Sequence, residues 1–163
     1  MKIAIISDTH DHIAHIDIVL DYCKKNNIDR IIHCGDICSV GTLDYCAHNW
    51  DKPFDFCFGN GDLTRIDMRE CAQNFEHVTC HGEVGRLDIN VEAGFKPAPT
   101  ISIVFNHYPQ EALKIDHEQD NIDFNFYGHT HKPWIEEGKS GIIANPGPLT
   151  GMKYDTSFAV LDC

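Results

Sequence analysis

Residues 2–10 read Lys-Ile-Ala-Ile-Ile-Ser-Asp-Thr-His, "KIAIISDTH". The run over 2–6 is nearly continuous in apolar side chains, the pattern of a strand covered on both faces rather than one alternating between core and water. Beyond it Ile13, Ile16, Leu20 and Cys23 recur at helical spacing, with Asp11 placed to cap the helix start. A buried strand that passes through Ser-Asp-Thr-His into a helix is the opening of a β-α unit. It leaves a carboxylate and an imidazole, Asp8 and His10, at the strand's carboxyl end.

The same unit recurs downstream. "RIIHC" (30–34) is a second strand followed by a helix around 42–50, and "FDFCF" (54–58) is a third followed by a helix from about 63 to 73. Three β-α units in a row predict a parallel half-sheet. The second half differs: "HVTC" (77–80), a hairpin-like "EVGRLDINVE" (83–92), a Pro-rich loop "FKPAP" (95–99) and the strand "TISIVFN" (100–106). Pro109 suits the first turn of a helix to about 118. "DFNFY" (123–127), "WIEEGKSGIIAN" (134–145) and "SFAVLDC" (157–163) read as further strands or hairpins. No repeat or long linker divides the chain, so the expectation is one α/β domain over 1–163, with two sheets packed together and flanked by helices.

Bulk properties narrow the function classes. A chain of 163 residues can bury about two-thirds of its unfolded surface and needs no disulfide to fold. The eight cysteines form no C-x-x-C pair and several lie in apolar runs, so they read as reduced, packed thiols of a cytoplasmic protein. The first apolar run is too short for a signal peptide, and none approaches membrane-spanning length. Thirteen basic against 25 acidic residues give a formal charge of −12, which repels a polyphosphate backbone and argues against stable nucleic-acid binding. The oligomeric state is left open, a homo-oligomer included.

The polar clusters fall at strand ends. Asp8 and His10 follow the first strand, Asp36 the second, Asn60 and Asp62 the third, His107 follows "TISIVFN", and His129 and His131 follow "DFNFY". In open α/β sheets that edge is where ligands bind. Singly, each has a structural reading: "SDTHD" as a helix cap, "CGD" and "GNGD" as turns, His107 as an imidazole satisfied by backbone. "GHTH" resists that reading, because two imidazoles at i, i+2 in a Gly-led turn are spaced for a metal. Together the groups provide four imidazoles, two or three carboxylates and one amide oxygen. That set fits two divalent cations sharing an Asp, with Mn first and Ni, Fe, Co or Zn next, rather than Ca or Mg.

The ordered series D-x-H, G-D, G-N-x-D, H and G-H-x-H resembles the calcineurin-like metallophosphoesterases, and the short length is similar to their small bacterial and archaeal phosphodiesterase branch. "ANPGP" and "SFAVLD" extend the likeness to about residue 162. The resemblance implies a four-layer α/β/β/α sandwich. It also implies that Asp8, His10 and His131 bind one metal and Asn60, His107 and His129 the other, with Asp36 bridging; Asp62, beside them, reads as a residue that orients a ligand through hydrogen bonds. The implied activity is hydrolysis of a small-molecule phosphoester, most closely a phosphodiester, by in-line attack of a metal-bound hydroxide. A non-catalytic scaffold of the same fold, as in the retromer subunit, and a nuclease are the alternatives.

Two departures bear on substrate. Where many relatives carry a His that protonates the leaving oxygen, this chain has Gly61, and loss of a general acid costs about 10²–10⁴-fold on poor leaving groups. Where relatives commonly show His-Gly, the chain has His107-Tyr108, which places an aromatic wall beside the metals. His12 is a candidate proton donor or a solvated first-turn residue, His33 reads as a satisfied core histidine, and Cys34 and Cys38, which flank Asp36 and could offer thiolate, read as packing.

Overall fold

Strand β1 (Lys2–Ile6) sends Ala4 and Ile6 into one hydrophobic cluster and Ile3 and Ile5 into another, all of them buried. That double burial is why the stretch shows no polar alternation, and each fully buried Ile is worth about 1.5–3 kcal/mol. In the computed structural model, which describes residues 1–90 and 100–163, two five-stranded sheets lie face to face. The first sheet also holds β2 (Arg30–His33), β3 (Phe54–Phe56), β4 (Val78–Cys80) and β10 (Ala159–Asp162), in the order β10-β1-β2-β3-β4. Within it only β10 runs antiparallel to its neighbour.

The second sheet has the order β5-β6-β7-β9-β8, from β5 (Val84–Asn90), β6 (Thr100–Asn106), β7 (Phe124–Phe126), β8 (Trp134–Glu137) and β9 (Ile142–Asn145). It mixes parallel β6-β7-β9 pairing with antiparallel β5 and β8 edges. Ile3, Ile5 and Ile32 of the first sheet and Ile103, Phe105 and Phe126 of the second fill the space between them. Helices α1 (Ile13–Lys25), α2 (Val40–Asn49) and α3 (Arg65–Ala72) cover the outer face of the first sheet through Ile16, Leu20, Leu43, Ala47 and Met68. Helix α4 (Pro109–Glu118) packs Ile115 and Ala112 on the second. The result is the α/β/β/α sandwich.

Two local expectations change. Asp11 does not cap α1; the His12 side chain accepts from His15 N instead, and Asp11 accepts from Ser39 N (3.1 Å), Ser39 Oγ (2.6 Å) and Thr42 Oγ1 (2.5 Å) at the start of α2. A left-handed residue (φ 58°) turns Asp11 toward the neighbouring unit, where its charge meets that helix's unpaired amides. The hairpin-like reading of 83–92 also fails: Val84–Asn90 is one strand, paired along its length with β6. Residues 91 and 92 and the Pro-rich 95–99 lie outside the described residues. The strand expected in "SFAVLDC" is β10, which lies beside β1 in the first sheet. No described helix is long and apolar enough to cross a membrane, and all eight cysteines are free.

Candidate metal centre

Five strands end at one rim of the sandwich, and all seven residues singled out from the sequence meet there. Five of them, Asp8, His10, Asp36, His129 and His131, have φ between 41° and 66°. A left-handed non-glycine residue costs about 1–3 kcal/mol, less for Asp and His than for branched residues, and such conformations concentrate where function requires them. The loops therefore turn sharply at the strand ends and aim their side chains inward.

The donors face one another closely. His131 Nε2 lies 3.2 Å from Asp8 Oδ1 and 3.3 Å from His10 Nε2. On the other side His107 Nε2 lies 3.1 Å from Asn60 Oδ1 and 3.3 Å from His129 Nδ1, and His129 Nδ1 lies 2.8 Å from Asn60 Oδ1. Asp36 Oδ2 stands between the two sets, 3.6 Å from His10 Nε2 and 3.5 Å from His107 Nε2. Bonds of about 2.0–2.2 Å put adjacent donors roughly 3.0–3.5 Å apart around a tetrahedral or octahedral ion, so these spacings suit cation coordination. Two groups of His and Asp could each hold an ion: Asp8, His10 and His131, and Asp8, Asp36 and His107.

The electrostatics favour the same use. Asp8 is fully buried, its Oδ1 has no hydrogen-bond partner, and burial pushes its pKa upward. A buried carboxylate oxygen without a donor is costly unless a cation or proton meets it. Burial, reinforced by His107, lowers the pKa of His129, which keeps its ring neutral and its lone pair free.

Behind the donors lies a layer that fixes their direction. His107 Nδ1–H donates to Cys34 O (2.9 Å) and His131 Nδ1–H to Met152 O (3.0 Å), which leaves each Nε2 as the free acceptor. Asp62, buried as the Asp36 loop closes over it, accepts from Asp36 N (3.0 Å) and Gly59 N (2.7 Å) with one oxygen and from Cys38 N (2.7 Å) with the other. Gly59 has to be glycine, since a Cβ there would sit 2.2 Å from Asp36 Oδ1. Asn145 of "ANPGP" holds the "GHTH" turn by donating to Gly128 O (2.7 Å) and Thr130 Oγ1 (3.0 Å).

Residues set aside in the sequence fall as follows. His33 is buried and bonded to Thr9 Oγ1 (3.1 Å) and Gly35 N (3.2 Å), as a core histidine, with burial lowering its pKa to about 3. His12 stacks on His15, ring centroids 3.8 Å apart, at the start of α1. Tyr108 stands against His129, centroids 5.1 Å apart. Cys34 packs in the core, but Cys38 does not simply pack: its Sγ lies 3.3 Å from His10 Nδ1. Sequence reading missed that contact and the carbonyls of Cys34 and Met152. Main-chain partners leave no residue-type signal, whereas Cys38, two places after Asp36, offered one.

The whole chain, residues 1–163, matches the calcineurin-like phosphoesterase superfamily domain. It is 28% identical over 151 residues to phosphodiesterase MJ0936 of Methanocaldococcus jannaschii, covering 93% of this chain and 86% of that protein. It superposes with a TM-score of 0.82 on a solved archaeal phosphodiesterase at 25% identity, over 99% of this chain and 93% of that one. The zinc complex of Vps29 from Entamoeba histolytica shares the fold at 21% identity and a TM-score of 0.67, over 100% of this chain and 86% of that one. With the match running from the first residue to the last, on the sandwich that the motif order anticipates, the chain belongs to the calcineurin-like phosphoesterase superfamily.

Proposed function

We propose that this protein is a phosphodiesterase that uses two divalent cations, with Mn the first candidate and Ni, Fe, Co or Zn the others. The observation that carries the reading is the convergence of seven donors at coordination spacing around a buried, unpartnered Asp8 oxygen. Asp8, His10 and His131 would hold one cation and Asn60, His107 and His129 the other, with Asp36 shared. Bound there, the cations would lower the pKa of a water and screen the phosphoryl oxygens.

The chain's own residues do the rest. The imidazoles of His107 and His131, locked by main-chain carbonyls through Nδ1, would present Nε2 to the cations in a fixed direction. Gly61 offers only its N–H, which donates to Asp36 Oδ1 (2.5 Å), so no side chain at 61 protonates the leaving oxygen. Tyr108 walls the site on the His107 side. Diesters and esters with activated leaving groups are the substrate class this arrangement serves best. Phe58 takes up the Arg65 and Arg69 guanidinium groups on its ring, and Arg65 also donates to Gly59 O (2.8 Å). Arg65 is thereby engaged with the loop, which leaves charge neutralisation at the phosphate to the cations.

The chain would act as one domain, on a soluble small substrate in the cytoplasm, where its free thiols stay reduced. The −12 charge counts against a nuclease, and the scaffold reading would be expected with a depleted donor set, whereas all seven positions are filled. The test is hydrolysis of bis(4-nitrophenyl) phosphate against 4-nitrophenyl phosphate by Mn-loaded protein. Faster turnover of the diester is expected. No turnover of either ester by protein that binds Mn would overturn the enzymatic reading in favour of a scaffold.

A further inference from the structure

Cys38 lies outside the donor set, yet the Asp36 loop holds it tightly. Its φ is 83°, a region where glycine would be the unstrained choice and a side chain carries a conformational cost. Its N–H is fixed by Asp62 Oδ1 at 2.7 Å, which fixes the direction of its Cα–Cβ bond. From there Sγ lies 3.3 Å from His10 Nδ1, the ring nitrogen opposite the Nε2 that faces Asp8 and His131. The other imidazoles with a resolved outer contact, His107 and His131, meet main-chain carbonyls there; His10 meets sulfur.

We infer that Cys38 is a positioning residue: its sulfur accepts the Nδ1–H of His10, fixes the tautomer that leaves Nε2 free for the cation, and holds the ring against rotation. The sulfur has a second consequence. A Cβ built on Gly61 would lie 2.9 Å from Cys38 Sγ and 3.1 Å from Asp36 Cγ. The space beside Gly61 is thus already taken, and the residue that orients His10 is also the one that keeps position 61 without a side chain. A histidine placed at 61 would press on the group that aims a cation ligand. The absence of an acid there is coupled to how His10 is held and is not an independent substitution. This inference deepens the metal-centre reading and rests on it.

The test uses Co(II) as probe, followed by its visible absorption in the full chain, in wild type, Cys38→Ser and Cys38→Ala. All three carry a side chain at the left-handed position, so they differ in the sulfur and not in backbone strain. Cys38→Ala is expected to bind Co(II) about 10–100-fold more weakly, the usual effect of removing an outer partner of a ligating histidine. Cys38→Ser, whose hydroxyl can accept the same proton, should recover most of that loss. In a His10→Ala background, Cys38→Ala should cause no further loss. Gly61→Ala should lower the melting temperature when Cys38 is present and do so less when Cys38 is replaced by Gly.

Equal Co(II) affinity of Cys38→Ala and wild type, or an equal loss with and without His10, would overturn the positioning role. An intense sulfur-to-cobalt charge-transfer band lost on Cys38→Ala would also overturn it, by showing the sulfur to be a ligand. Equal destabilisation by Gly61→Ala in both backgrounds would overturn the steric coupling. Wild type that binds no Co(II) would overturn the metal-centre reading itself, an outcome distinct from unchanged binding in Cys38→Ala.

Discussion

The two sheets reach the rim on different terms. The first sends Asp8, His10, Asp36 and Asn60, carried on loops whose amides are gathered by carboxylates: Asp62 holds the Asp36 loop and Asp11 the start of α2. The second sends His107, His129 and His131, two of which are locked through main-chain carbonyls. The first sheet supplies both carboxylates and the second supplies imidazoles alone. Each proposed cation group draws on both: His131 completes Asp8 and His10, and His107 and His129 complete Asp36 and Asn60. Cations at the rim would therefore join the sheets as well as perform chemistry.

The largest effect expected from disturbing this division comes at the shared carboxylate. Asp36→Asn should lower kcat/KM for diester hydrolysis by about 10³-fold, the scale of removing a principal electrostatic stabiliser, and reduce the bound metal measured by elemental analysis. His131→Ala should instead empty the Asp8–His10 side and spare the other. Equal metal loss in both variants would break the two-group description.

Next in size is the joining of the sheets. At 100–1,000 times the dissociation constant, Mn should stabilise the fold by about 3–4 kcal/mol and raise the melting temperature by roughly 6–16 °C, with reversal by a chelator. Asp36→Asn should show little of this rise. A rise equal to wild type would mean that the ion binds elsewhere.

Smaller again is the carboxylate support peculiar to the first sheet. Asp62→Asn, which replaces one acceptor oxygen by a donor group among three amides, should weaken metal binding by about 10–100-fold while the ligands themselves are retained. Titration of Mn against both proteins measures it.

A last effect, on the pH dependence of stability rather than on metal binding, lies beneath the loops. His33 titrates near 3 in the fold because of burial and of its neighbours His107 and His10, against about 6.5 in the unfolded chain. The unfolded chain thus binds more protons below about 6.5. The metal-free protein should lose stability as the pH falls from there toward about 3, by up to about 1.4 kcal/mol per pH unit from this group. Urea melts across that range should show a shallower slope for His33→Gln than for wild type.

Much of this was legible in the sequence, for identifiable reasons. β1 and β2 could be read because parallel strands buried on both faces leave long apolar runs, and the donors could be read because Asp, His and Asn recur directly after such runs. Asp62 was legible as support because an acid closes the "GNGD" turn. Asp11 was misassigned because a capping residue looks the same whichever helix it caps, and only the left-handed turn at 11 sends it to α2. The return of "SFAVLDC" to the first sheet depends on a partner more than 150 residues away. The meaning of Gly61 changed most: its missing side chain reads as an absent acid in the sequence, and in the fold it is the space filled by Cys38.

The central claim is that two cations sit at this rim, shared across the sheets through Asp36. Anomalous diffraction from crystals grown with Mn, recorded on both sides of its absorption edge, tests it most directly. Two peaks are expected, one among Asp8, His10 and His131 and one among Asn60, His107 and His129, with Asp36 contacting both. A single peak, or none at the rim, would contradict the claim.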